Sequence, residues 1–114
     1  IKENKDFVNL YKKGKFTSGK AVTVYYRKNP RGLTRLGITT GKKVGSAVTR
    51  SRCRRIIRAA FYQCEEAFPK GCDYVIVARS ACGEVKSTAI SSFFKTKAIP
   101  DIRKSLNKNN TNRK

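Results

Sequence analysis

The chain has 114 residues, 39% of them hydrophobic, and carries 27 Lys and Arg against 7 Asp and Glu, a formal net charge of +20. That length fits one domain with a small core and excludes two ordinary ones. The absence of His removes the usual general base at neutral pH, and so one-sided a charge opposes folding unless a polyanion neutralises it.

From the N-terminus, Glu3 to Lys13 reads as a helix, with Phe7, Leu10 and Tyr11 at helical spacing and Gly14 as its stop. Thr17, Ser18 and Gly19 read as a turn. Ala21 to Arg27 is β-branched and aromatic, a strand with Val22, Val24 and Tyr26 on one face and Ala21, Thr23 and Tyr25 on the other. After a turn at Lys28 to Gly32, Thr34 to Thr40 predicts a second strand, expected beside the first and antiparallel to it, with Leu36 and Ile38 inward. Gly41 to Gly45 is a basic, glycine-bounded loop. A long helix follows from Ala47 to Ala67, ended by Pro69 and Gly71. Cys72 to Arg79 is almost continuously apolar, as suits a strand covered on both faces. Ser80 to Ser87 reads as irregular. Ile90, Phe93 and Phe94 then show helical spacing, which Pro100 interrupts or restarts, and Ile102 and Leu106 continue the apolar face.

The order is α-β-β-α-β-α, an α+β domain of two layers over residues 1–106. The polar, basic tail at 107–114 is expected to be disordered. No run is apolar enough to span a membrane, and no signal peptide is read at the start, so a cytoplasmic protein is expected.

The densest information lies between Lys42 and Arg58, KKVGSAVTRSRCRRIIR, with seven basic residues and no acidic one. Arg50, Arg54 and Arg58 recur every four residues and so stack on one helix face. Cys53, Ile56, Ile57, Ala60, Phe61 and Cys64 make an apolar stripe beside them. Arg50, Arg52, Arg54, Arg55 and Arg58 offer planar donors suited to phosphate. Lys42, Lys43 and Ser46 stand where the helix N-terminus also favours an anion. A merely solvated charged face would carry acidic partners one turn away, and none occurs before Glu65. Nucleic acid is the first candidate partner and an anionic membrane the second, weakened by the lack of a long apolar run. Charge alone does not separate RNA from DNA. A helix-turn-helix reader of DNA needs a second helix beside the basic one, where the flanking segments read as strands.

Phe7, Tyr11 and Tyr25 lie beside basic residues, where rings either stack unpaired bases or pack a core. Catalytic equipment is missing: the seven acids are scattered, and Cys53, Cys64, Cys72 and Cys82 have no His to activate them and no CxxC spacing to hold zinc. The four thiols read as small buried hydrophobes, and no catalytic or metal-binding residue is assigned.

KKVGSAVTRSRCRR, Lys42 to Arg55, resembles the signature of the bacterial ribonuclease P protein subunit, roughly K-K-x-G-x-A-V-x-R-N-R-x-K-R. ENKDFVNLYKKGK, AVTVYYRKN, RLGITT and DYVIVARS are similar to that family's first helix and strands. The resemblance is weakest after Ala81. It implies a protein cofactor of an RNA enzyme that removes the 5′ leader from precursor tRNA. The large RNA performs the hydrolysis with Mg²⁺ bound through that RNA, and the protein is a monomer in a 1:1 ribonucleoprotein. It implies RNA-subunit contacts at Lys42, Lys43, Ser46, Arg50, Ser51, Arg52, Arg54 and Arg55, to which the charge pattern adds Arg58. It also implies a leader-binding cleft at Phe7, Tyr11 and Tyr25. The implied fold is like that of the second domain of a small-subunit ribosomal protein, with a left-handed β-α-β crossover through the arginine helix. Ser51 stands where the family usually has Asn, Gly41 where Ser or Lys is frequent, and Arg54 where Lys is usual. A ribosomal or other structural RNA-binding protein is the alternative, and it would not prefer precursor over mature tRNA.

Overall fold

Alternation of apolar and polar positions builds the sheet, and a nearly unbroken apolar run builds its centre. In the computed structural model, residues 14–29 and 34–112 are described, with side chains as far as Leu106. Four strands, β1 (Lys15–Ser18), β2 (Val22–Lys28), β3 (Arg35–Thr40) and β4 (Cys72–Ala78), form one sheet in the order β1-β2-β4-β3. β1 and β4 both pair antiparallel with β2, while β3 pairs parallel with β4. The helix α1 (Ala47–Gln63) connects the two parallel strands. This is the α+β fold expected, with the parallel β3–α1–β4 connection in place.

Two expectations about the sheet are corrected. β2 and β3 run in opposite directions but are not neighbours, because β4 lies between them. The physical reason is burial. Tyr74, Val75 and Ile76 are fully buried and demand cover on both faces, whereas every β3 residue except Gly37 is only half-buried and suits an edge. The second correction is β1, which takes in Thr17 and Ser18, read above as a turn. Thr17 is buried and its hydroxyl donates to Asp101 at 2.9 Å.

Val22, Val24 and Tyr26 of β2 and Tyr74 and Ile76 of β4 face the helices, against Cys53, Ile57, Ala60 and Phe61 of α1. Phe61, Phe68, Tyr74 and Phe94 form an aromatic cluster, with Phe61 stacked on Phe68 at 4.7 Å and Phe68 edge-on to Phe94 at 5.3 Å. The Tyr74 hydroxyl, inside this cluster, donates to the Pro69 carbonyl at 2.6 Å. Leu36 and Ile38 pack on the same core from the edge strand. α1 ends at Gln63 instead of Ala67, and Glu65–Ala67 tightens into a 3₁₀ turn.

The chain after β4 makes a 3₁₀ segment, Ser80–Glu84, then α2 (Ser87–Phe93), a π turn (Phe94–Ala98) and α3 (Ile99–Asn112). Pro100 does not end the helix. The preceding turn is widened, with the Ile99 N–H bonded to the Phe94 carbonyl five residues back, and such a turn accommodates a residue without an N–H. The backbone of α3 runs past Leu106 to Asn112, since no Gly or Pro stops it there.

Candidate nucleic-acid interface

The basic loop is held from below. Val44 is buried, while Lys42 and Lys43, which precede it in the same 3₁₀ turn, are exposed. Gly45 has φ 143°, a conformation for glycine alone, and a Cβ there would meet the Thr49 side chain at 3.2 Å. It turns the chain so that Ser46 caps α1, its hydroxyl accepting from the Thr49 N–H at 3.3 Å. The first turn of α1 has no acidic residue, so the positive end of the helix dipole adds to the two lysines. A Cβ on Gly41 would meet nothing within 4 Å, so packing does not require glycine there.

The arginines divide. Arg54 reaches back over the edge of the sheet, donating to the Thr40 hydroxyl at 2.8 Å and to the Ser51 hydroxyl at 3.0 Å. Ser51 thus holds a guanidinium in place, and the end of β3 and the arginine face become one surface. Arg55 and Arg58 are exposed, with no hydrogen-bond or ion-pair partner among the described residues. Arg50 is half-buried, and its Nε is buried without a hydrogen bond among the described residues. Arg52 is not brought together with these. It turns the other way and donates to the Gly83 and Val85 carbonyls, both at 3.2 Å, tying α1 to the 3₁₀ segment. Two residues of helix separate Arg52 from Arg50 by about 200°, so divergence follows from geometry.

On the sheet face opposite the core, Tyr25 is half-buried, and its ring lies 5.7 Å from that of Phe16. Phe7 and Tyr11 lie outside the described residues. Asp73 on this face is occupied, taking two bonds from Arg35 (2.8 and 2.7 Å) and one from Asn29 (2.9 Å). The four cysteines are buried and free. Burial pushes the Cys82 thiol up to about 12, with its neighbour Cys53 adding to the shift, and raises Cys64 and Cys72 too.

The Ribonuclease P family profile matches residues 1–98. The ribonuclease P protein component of Macrococcus caseolyticus is 36% identical over 109 residues, covering 95% of this chain and 92% of that protein. The Oceanobacillus iheyensis component is 33% identical over 109 residues, covering 90% of each. The chain belongs to the ribonuclease P protein family. The solved RNase P protein of Staphylococcus aureus superposes with a TM-score of 0.74 at 29% identity, covering 93% of both chains. That of Thermotoga maritima gives 0.75 at 27%, covering 91% of this chain and 94% of that one. As a member of this family, the chain is an RNA-binding subunit of ribonuclease P, the ribonucleoprotein that processes tRNA 5′ ends.

For a ribonuclease P protein the donor set is informative. The interface presents guanidinium, ammonium and hydroxyl groups, which fit phosphate and not Mg²⁺. Among the described residues no three His, Cys, Asp or Glu side chains are grouped as for a metal. No helix among them is long and apolar enough to cross a membrane. Phe16 and Arg27, both exposed on the Tyr25 face or at its edge, were missed from the sequence. The signal available was Gly14 and Gly19 bracketing a short alternating stretch, Lys15 to Ser18, which is how a brief edge strand reads.

Proposed function

We propose that the arginine face of α1 and the Lys42–Ser46 loop grip the ribonuclease P RNA, and that the sheet face carrying Tyr25 receives the single-stranded 5′ leader of precursor tRNA. Lys42, Lys43, Ser46, Arg50, Arg54, Arg55 and Arg58 meet phosphates in this reading. Ser51 orients Arg54, and Arg52 fixes the helix to the fold. Phe7 and Tyr11 complete the leader cleft. Mg²⁺ enters with the RNA, whose phosphates supply the oxygen ligands that this surface lacks, and the RNA performs the hydrolysis. The complex is 1:1 and works in the cytoplasm.

The observation that carries the reading is the Arg54 bridge between Thr40 and Ser51, which makes the arginine face and the sheet edge continuous. A strand on the sheet and an RNA on the helix can then be held side by side. Leader contacts are made by precursor and lost in product, so they favour precursor by differential affinity. The test is reconstitution with a bacterial ribonuclease P RNA at low Mg²⁺. The protein is expected to stimulate 5′ cleavage and to raise affinity for precursor over mature tRNA. Equal affinity for both would remove the leader from the account.

A further inference from the structure

Among the described residues Phe16 carries the most exposed ring, 63% exposed in a short edge strand. Its register fixes its direction. Phe16 pairs with Tyr25, and the next pair, Thr17 with Val24, is buried in the core. Phe16 and Tyr25 therefore share the opposite face, rings tilted by 40°. Two residues beyond Tyr25, on that same face, stands Arg27, exposed and without a partner among the described residues. Asp73, its cross-strand partner on β4, is already bound by Arg35 and Asn29. Two adjoining rings, an unengaged guanidinium and an occupied acid make a surface matched to a base and its phosphate.

We propose that Phe16 and Tyr25 together form a stacking platform for an unpaired base of the RNA leader, with Arg27 on an adjoining phosphate. This rests on the reading that the leader crosses the sheet face. β1 and β3 are the two edges of the sheet, and α1 borders β3. Three strand spacings, about 14 Å, separate the β1 edge carrying Phe16 from the β3 edge, where Arg54 reaches Thr40. Only a leader long enough to cross the sheet reaches Phe16, so the platform measures leader length.

The experiment uses the holoenzyme reconstituted with a bacterial ribonuclease P RNA. Affinity is measured for precursor tRNAs with stepwise longer leaders and for mature tRNA. Phe16→Ala and Phe16→Leu are expected to lose the affinity gained with the longest leaders, roughly five- to tenfold, the lower range for stacking on one ring. Phe16→Tyr retains it. Short-leader precursors and mature tRNA bind as before. A loss equal at every leader length would assign Phe16 to folding or assembly and overturn the proposal, as would no loss or full rescue by Leu. Self-association of the free protein abolished by Phe16→Ala would give the ring to a second copy instead. Should the unaltered holoenzyme gain nothing from any leader, the leader reading itself fails and takes the platform with it.

Discussion

The two sides of α1 use the same residue type for opposite ends. On one side Cys53, Ile57, Ala60 and Phe61 enter the core and Arg52 donates to two backbone carbonyls. On the other, Arg55 and Arg58 stand in solvent, and Arg54 is propped between the Thr40 hydroxyl at the sheet edge and the Ser51 hydroxyl of α1. A guanidinium satisfied by carbonyls keeps its charge but has fewer donors left for phosphate. Whether an arginine is spent on the fold or left open to a partner is decided by what lies within reach of its fork.

That contrast is sharpest where the core is cut. Ile57→Ala should destabilise the protein by about 2–5 kcal/mol, the range for truncating a fully buried aliphatic side chain, read as a shift in the urea midpoint. RNA affinity should fall only as far as the folded fraction does. Arg52→Ala comes next. Losing two charge-assisted bonds to carbonyls should cost about 1.5–3 kcal/mol of stability and release the Ser80–Glu84 segment, seen as faster amide exchange there. An unchanged urea midpoint would place Arg52 with the outward arginines.

Much of this was legible beforehand. Alternation located β2 and β3, the apolar run located β4, and the four-residue recurrence of arginine located the outward basic face of α1. Sheet order was not legible, because pairing β4 between β2 and β3 is decided by long-range burial and not by either strand's pattern. β1 was hidden by a sequence of turn-forming residues that an edge strand also tolerates. The separation of Arg52 from Arg50 was implicit in helical spacing, but the carbonyls that receive it come from residues 83 and 85, in a segment that read as irregular.

A smaller effect probes the core side through pH. The folded state raises the thiol of Cys82 to about 12 and also raises Cys64 and Cys72. Stability linked to these groups is therefore intact below the unfolded thiol pKa, near 8.5, and declines as pH rises toward the folded values. Relative to Cys82→Ala, the unaltered protein should lose at most about 1.4 kcal/mol per pH unit above that point. A constant difference from pH 7 to 11 would contradict the buried, protonated thiol.

The most direct measurement is the salt dependence of binding to the ribonuclease P RNA, for the unaltered protein and for Arg55→Ala/Arg58→Ala. If these side chains contact phosphate, the double variant keeps its urea midpoint while the slope of log K against log salt falls by about one for each arginine removed. An unchanged slope, or a stability loss like that of Arg52→Ala, would mean that the outward face of α1 is not where the RNA is held.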